Sequence, residues 1–343
     1  MIDLALTPAE SIRLVARRIA QIMPLRRPER APGVPALAVV IGGQPGAAKS
    51  TIQYRVQAAL GEDTAASYEA DDDPDVHPRY QAATRDGGME AHGEVVRSLP
   101  PDLSERCLDS LLTADPPYDV VTSAWLEAAE RAEQTLAPFR DAGHRVVVVY
   151  VATNEADSML AIADRYQRAK DAAGSGRWVD PRTHDAVYPR VPDAAHAVET
   201  LGYADDVYVV DRAGNVLYEN HRRADGALER DPGVREAIIA ERNRPPTPDE
   251  QRHFVETARS LRQRDDLEPA VDDLVRAAMR AQVDRPAVQP AAEPDSSTRL
   301  DARLAALRHV TGAGIAPPGG TSAGDGSRRT DKGRRPPGQQ LDR

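Results

Sequence analysis

A lysine followed by two hydroxyl residues, Lys49, Ser50 and Thr51, closes a short glycine-rich segment. The segment GGQPGAAKST departs by one residue from the phosphate-binding loop G-x-x-x-x-G-K-[ST], because Ala48 stands where the pattern has its second glycine. Backbone N–H groups of such a loop cradle the phosphates of a nucleotide, the lysine reaches the β and γ oxygens, and the serine hydroxyl ligates Mg²⁺. The segment therefore predicts a nucleotide-binding loop with its metal on Ser50.

The backbone conformation of Ala48 decides how well this loop can work. Alanine costs little if its φ is negative, whereas a positive φ costs of order 1 kcal/mol. A plain Gly/Pro turn with a solvated lysine is the alternative, but a predicted buried strand precedes the loop and a predicted helix follows it, which favours nucleotide binding. The residues expected to contact the nucleotide are Gly43, Gln44, Pro45, Gly46, Ala47, Ala48, Lys49, Ser50 and Thr51.

Short apolar segments alternate with helical patterns over the first two thirds of the chain. The predicted strands are Ala36–Ile41, Ala66–Glu69, Tyr118–Thr122, Arg145–Ala152 and Asp206–Val210, and a turn at 211–215 predicts a hairpin to Val216–Glu219. The predicted helices between them are Ser50–Leu60, Met89–Leu99, Leu103–Thr113, Trp125–Asp141 and Glu155–Asp171. This alternation predicts a three-layer α/β/α fold with a mostly parallel sheet.

Both ends of the chain differ from this α/β core. A capping box at 7–10 starts an N-terminal helix, and a Pro/Arg-rich connector follows it. After about residue 225 the patterns are helical only: Asp231–Arg244, Thr247–Gln263, Leu267–Gln282 and Ser297–Val310. We expect an N-terminal helix and connector over 1–35, the core over 36–224, a helical extension over 225–311 and a disordered tail over 312–343.

Composition narrows the classes of protein to consider. The chain has 343 residues, of which 41% are apolar, enough for one large domain with an appendage or for two domains. A net charge of −10 argues against nucleic acid or an acidic membrane surface as the main partner. The single cysteine, the lack of a long apolar segment and the N-terminal sequence favour a cytoplasmic protein without a membrane span or signal peptide.

Asp71 stands directly after the second predicted strand. Ligands of parallel sheets lie beyond the carboxyl ends of the strands, so a carboxylate here would face the glycine-rich loop. It could accept the proton of an attacking hydroxyl or hold that hydroxyl in line. The alternative for this acidic segment is a solvated turn, which fits Asp72, Asp73 and Asp75 better than Asp71.

Two arginines further along the chain could act on a transferred phosphoryl group. Arg165 lies late in the predicted helix after the fourth strand, and Arg177 follows the Gly-Ser-Gly segment 174–176. Phosphoryl transfer needs cations against the charge that spreads over the γ-phosphate, and a mobile lid can deliver them once substrate is bound. Surface arginines are common, so each of these residues taken alone would be interpreted as a solvated surface residue.

In combination these motifs resemble the zeta-toxin family of phosphate-loop kinases. The matching segments occur in the order GGQPGAAKS, EADDDPDVHPRY, DRYQ and GRWVDPRTHD, between about Ala36 and Tyr218. The resemblance implies a kinase domain over 36–224 that uses ATP or GTP and Mg²⁺ to phosphorylate the 3′-hydroxyl of the sugar in UDP-N-acetylglucosamine. It implies Asp71 as general base, Lys49, Arg165 and Arg177 as further catalytic residues, and a separately encoded antitoxin as a partner.

The end of the third strand departs from the family pattern. The family has Glu-Gly-Thr-x-Arg there, whose carboxylate and arginine help hold metal and sugar nucleotide, whereas this chain has TSAWL at Thr122–Leu126. Thr122 and Ser123 can hydrogen-bond a substrate but replace neither charge. Two alternatives therefore stay open: a nucleotide-binding or partner-binding protein of the same fold that has lost transfer, and a kinase with a different acceptor.

Overall fold

The computed structural model describes residues 2–174, 176–285 and 299–307. Its strands are β1 Leu37–Gly42, β2 Ala65–Tyr68, β3 Asp119–Ala124, β4 Arg145–Val151, β5 Asp206–Val210 and β6 Val216–His221. Its helices are α1 Pro8–Ile22, α2 Lys49–Leu60, α3 Tyr80–Gly87, α4 Ala91–Ser98, α5 Leu103–Leu112, α6 Ala129–Asp141, α7 Glu155–Ala173, α8 Pro181–Val187, α9 Val191–Thr200, α10 Val234–Asn243, α11 Pro248–Arg262, α12 Pro269–Val283 and α13 Leu300–Leu307. Short 3₁₀ helices span Ala70–Val76 and Gly88–Glu90.

The strands form one sheet in the order β2-β3-β1-β4-β5-β6. The first five strands are parallel, and β6 is antiparallel to β5 as the hairpin pattern predicts. Alternate residues of β1 enter two apolar clusters, one on each face of the sheet. Helices α1, α5, α6 and α9 contribute to one cluster, and α2 and α13 to the other. The predicted three-layer fold with a mostly parallel sheet and a helical extension is confirmed.

Several helices differ from their predicted bounds. Helix α6 begins at Ala129 instead of Trp125, because Leu126 has a φ of 49° and Ala128 is extended. Helix α4 begins at Ala91, two residues after the predicted start at Met89. Helices α3, α8 and α9 are additional to the prediction, since short helices offer too few turns for a clear apolar period.

One residue of the acidic segment after β2, Asp73, is buried and hydrogen-bonded. The expectation of a solvated turn is therefore wrong for Asp73. Its Oδ1 accepts a hydrogen bond from Arg18 Nε at 2.7 Å, and its Oδ2 accepts one from the Tyr68 hydroxyl at 2.9 Å. Arg18 also donates to the Glu69 carbonyl at 2.7 Å. Helix α1 thereby fixes the backbone on either side of Asp71.

Two of the helices after β6 pack on the α/β core through α7, whereas α10 packs on α9 and β5, and α13 packs on α2. Helices α11 and α12 lie against α7, and the three share an apolar cluster around Ile162, Tyr166, Phe254 and Leu274. The domain boundaries at 35, 224 and 311 stay predictions. The predicted tail 312–343, Ser175 and the two ends of the predicted helix Ser297–Val310 lie outside the described residues. No helix in the described part of the chain is long and apolar enough to cross a membrane.

Arg242, near the end of α10, connects this extension to the glycine-rich loop. Its side chain is buried, and Nη2 donates to Gln44 Oε1 at 2.9 Å while Nη1 donates to the Tyr188 carbonyl at 2.7 Å. The guanidinium lies 3.9 Å from the centroid of the Tyr188 ring. A buried guanidinium with hydrogen bonds to two segments of the core is a strong positional constraint.

We predict that Arg242→Ala lowers the free energy of unfolding by about 2–4 kcal/mol, because it removes two buried charge-assisted hydrogen bonds and a cation–π contact. Urea unfolding measures the change. Arg252→Ala is the matched control, since this exposed arginine of α11 pairs only with exposed Asp249. Equal stability of the two variants would contradict the assignment of Arg242 as a structural link.

Candidate active site

The glycine-rich loop follows the central strand β1 and rests on the start of α7. Gln44 is fully buried, and its Nε2 donates to the Thr153 carbonyl at 3.0 Å. The Thr153 hydroxyl donates in turn to the Ala47 carbonyl at 3.0 Å. Gly46 has a φ of 76°, and a Cβ on it would overlap the Ser158 carbonyl. Only glycine fits at this point of contact.

Ala48 adopts the unfavourable one of the two conformations considered from the sequence. Its φ is 76° and its ψ is 24°, in the left-handed region. It is the N-cap residue of α2 and makes no side-chain capping bond. The loop therefore carries backbone strain of order 1 kcal/mol at a position that glycine would occupy without strain.

Lys49 turns back onto its own loop. Its Nζ donates to the carbonyls of Gly43 at 2.9 Å and Gln44 at 3.2 Å. Burial lowers the pKa of the ammonium, while the nearby carboxylates of Glu69 and Asp71 act in the opposite direction. The loop thus holds a desolvated cation next to the free N–H groups at the start of α2.

A cavity of about 390 Å³ opens above this loop. The loop and the start of α2, Pro45–Thr51, form its floor. The residues that face it from neighbouring strand ends and from α7 include Glu69, Asp71, Ser123, Trp125, Asp164 and Arg165. The cavity lies at the carboxyl edge of the parallel strands, where α/β folds bind their ligands.

The structure brings together the residues expected to act on the phosphoryl group. Asp71 forms an ion pair with Arg177, and both line the cavity together with Lys49 and Arg165. Burial lowers the pKa of Arg165, and the charge of Arg177 lowers it further, whereas Asp71 and Glu69 act against this. Three cations and two carboxylates therefore share one partly desolvated space.

Other residues selected from the sequence lie outside the cavity. Gly43 and Gln44 are behind the loop, where Gln44 holds it in place instead of facing a ligand. Thr122 is only 8% exposed and does not line the cavity, whereas the next residue, Ser123, does.

Glu69 is a cavity residue to which the sequence analysis assigned no function. It accepts a hydrogen bond from the Ser123 hydroxyl. Burial raises its pKa, and the neighbouring Asp71 carboxylate raises it further. Its position at the end of the second predicted strand was a usable signal, because ligands of parallel sheets lie beyond the carboxyl ends of the strands.

A second set of cavity residues comes from parts of the chain that gave no functional signal. Arg212 follows β5, and His253, Phe254 and Thr257 belong to α11. No local pattern predicts this, because it depends on how the extension folds back over the core.

The family model described as Zeta toxin matches residues 26–223, more than half of the chain. The chain belongs to the zeta-toxin family. The match includes the loop, Asp71, Arg165 and Arg177, and it ends before α10. No curated protein matches the chain.

Solved structures resemble this zeta-toxin family member in fold. One, from a study of the PezAT chromosomal toxin–antitoxin system of the human pathogen Streptococcus pneumoniae, has a TM-score of 0.60 at 17% identity and covers 76% of this chain and 98% of that chain. The native AvrRxo1-ORF1:-ORF2 complex has a TM-score of 0.44 at 11% identity, covering 88% and 85%. The same complex with ATP gives 0.45 at 12% identity, covering 88% and 89%. The first likeness supports a phosphate-loop kinase-type fold.

We predict that Ala48→Gly raises the free energy of unfolding by about 0.5–1 kcal/mol and preserves or improves nucleotide affinity, because it relieves a positive φ. Urea unfolding and calorimetry with ATP measure the two effects. Ala47→Gly is the control: this neighbour is buried and lacks a positive φ, so the same substitution should lower stability. A stability loss in Ala48→Gly would show that alanine suits this loop.

Proposed function

We propose that this chain is a phosphotransferase that moves the γ-phosphoryl group of ATP or GTP to a sugar hydroxyl of a UDP-sugar such as UDP-N-acetylglucosamine. The observation that carries the proposal is the convergence of Lys49, Asp71, Arg165 and Arg177 on one cavity. These four residues come from separate segments of the chain. Phosphoryl transfer needs a cation on the donor phosphates, a base for the acceptor and cations on the γ-phosphate, and these residues could supply all of them. The proposal includes a cytoplasmic location, because nucleoside triphosphates and UDP-sugars are metabolites of that compartment.

The donor phosphates fit over the loop. Free N–H groups at the start of α2 attract an anion, and the helix dipole adds to this attraction. Lys49 would exchange its bonds to the Gly43 and Gln44 carbonyls for bonds to the β and γ oxygens. This exchange leaves the number of its hydrogen bonds unchanged and adds the attraction between opposite charges.

The residues present fit a Mg²⁺ ion that arrives with the nucleotide. Ser50 offers a hydroxyl oxygen, and Glu69 offers a carboxylate oxygen on the same cavity. Magnesium prefers such oxygen ligands and takes only one or two from carboxylates when phosphates are present. No group of three or more His, Cys, Asp or Glu among the described residues could hold a metal. When bound, the ion would neutralise charge on the β and γ oxygens.

Asp71 is the proposed general base. The acceptor oxygen attacks the γ-phosphorus as the bond to the β–γ bridging oxygen breaks, and its proton passes to the Asp71 carboxylate. Arg177, now paired with Asp71, would turn to the γ-phosphate together with Arg165. That change of partner would free the carboxylate at the moment when the nucleotide is bound.

A different acceptor is the second candidate, and Leu126 favours it. This side chain is fully buried where the family resemblance has a substrate-holding arginine. Ser123 and the indole of Trp125 line this part of the cavity instead. An apolar ring and a hydroxyl would suit an acceptor with less negative charge than a sugar diphosphate.

An antitoxin partner is also part of the proposal. Membership of the zeta-toxin family and the fold likeness to a structure from a toxin–antitoxin system support a separately encoded partner that controls this activity.

We predict that Lys49→Ala weakens ATP binding at least tenfold, because it removes the cation nearest the β and γ oxygens. Calorimetry with ATP and Mg²⁺ measures the affinity. Lys170→Ala is the control, since this lysine pairs with Glu268 away from the cavity. Unchanged affinity in Lys49→Ala would mean that the loop is only a turn.

We predict that Asp71→Asn cuts phosphoryl transfer by about 10²-fold or more while ATP affinity stays within a few-fold, because asparagine keeps the shape but accepts no proton. Asp72→Asn is the control, since Asp72 is exposed and does not line the cavity. Equal losses in the two variants would refute the assignment of Asp71.

The proposal itself is tested with purified protein, ATP, Mg²⁺ and a pool of UDP-sugars and other metabolites, analysed by mass spectrometry for new phosphorylated species. A phosphorylated UDP-sugar supports the main proposal. Another phosphorylated product supports the second candidate, and bound ATP without product supports a binding protein of the same fold.

A further inference from the structure

Helix α11 lies beyond residue 223, where the family match ends, yet it lines the cavity. His253 and Thr257 are four residues apart and therefore stand one above the other on the same face of the helix. Phe254, beside them, is only 4% exposed and packs into the apolar cluster shared with α7. The buried phenylalanine holds the face that carries the imidazole and the hydroxyl.

The sheet order puts Arg212 at the end of the cavity away from Asp71. Glu69 and Asp71 follow β2 and Ser123 lies near the end of β3, on one side of β1, whereas Arg212 follows β5, two strands away on the other side. Burial lowers the pKa of Arg212, and the charges of Asp157 and of Glu250 in the first turn of α11 act against this, so α11 lies at the same end. With roughly 4.8 Å between neighbouring strands, the two ends lie about 20 Å apart. The phosphate loop stands between them.

This end of the cavity is held by contacts that fix its shape. Arg212 Nη1 donates to the Asp157 carbonyl at 3.2 Å. The Asp157 carboxylate accepts a hydrogen bond from Arg285 at 2.9 Å, and the Arg285 side chain is 6% exposed. These contacts join three segments next to α11: the hairpin after β5, the first turn of α7 and the residues just after α12.

The side chains that α11 presents to the cavity, together with Arg212, suit the base and ribose of a nucleotide. Imidazole and guanidinium groups are planar and stack on nucleobases, and a hydroxyl can hydrogen-bond the edge of a base or a sugar. With the phosphates over the loop and the acceptor beside Asp71, the opposite end of the cavity, lined by Arg212 and α11, is left for the rest of a nucleoside triphosphate.

We propose that α11 is the base-binding wall of the site, on which the nucleobase of the donor stacks against His253 with Thr257 at its edge and Arg212 beside the ribose. This rests on the proposed function, because it assumes a donor whose phosphates occupy the loop. It assigns a ligand-binding task to the helical extension, which the sequence left without one.

The test compares ATP with inorganic tripolyphosphate, which has the phosphates but no base, on the full-length chain by calorimetry. His253→Ala should weaken ATP binding about tenfold and leave tripolyphosphate affinity unchanged, on the scale of one lost stacking contact. His253→Phe should keep ATP affinity, since it keeps a stacking ring. Glu256→Ala, an exposed residue of the same helix outside the cavity, should change neither affinity.

The outcomes separate this inference from the proposed function. If His253→Ala leaves ATP affinity unchanged, or weakens ATP and tripolyphosphate equally, the base-binding wall is refuted. If the unmodified chain binds tripolyphosphate and ATP equally, the phosphate loop works and the wall alone is refuted. If the unmodified chain binds neither, the proposed function is refuted and the inference with it.

Discussion

The attachment of the glycine-rich loop to the junction of β4 and α7 is the constraint on which the site depends. Across this junction the Gln44 amide donates to the Thr153 carbonyl and the Thr153 hydroxyl donates to the Ala47 carbonyl, and Gly46 lies directly on the Ser158 carbonyl. The same helix carries Arg165 seven residues after Ser158, about 10 Å further along at 1.5 Å per residue. These contacts therefore set the distance between the N–H groups of the loop and Arg165, the cation proposed to act on the γ-phosphate.

The cavity and the whole chain carry net charges of opposite sign. The protein carries −10 overall, whereas the cavity lining has a small excess of cations. It contains five cations and four carboxylates: Lys49, Arg165, Arg168, Arg177 and Arg212 against Glu69, Asp71, Asp157 and Asp164. Burial raises the pKa of Glu69 and lowers those of Lys49 and Arg165, so desolvation acts on both signs of charge in the cavity. A chain of net negative charge thus has a positive excess at the cavity, the sign of charge that the proposed polyphosphate donor requires.

The sheet and the carboxylate at its edge could be predicted because their signals are local. Val39 and its neighbours form a continuous apolar segment, and the rule that ligands lie beyond strand ends places Asp71 at the cavity. The burial of Asp73 could not be predicted, since its partner Arg18 lies 55 residues earlier. The same limit applies to His253, whose place in the cavity depends on α11 packing against α7.

The buried hydrogen bond between Arg242 and Gln44 affects how chimeras of this protein can be designed. The recognisable family region stops at 223, but the guanidinium that holds its loop is supplied 19 residues later. A chimera cut at residue 223 would contain the loop but not Arg242, and the buried amide oxygen of Gln44 would lose its hydrogen-bond donor. The family region and α10 therefore depend on each other structurally, and a fragment chosen for a chimera should include α10.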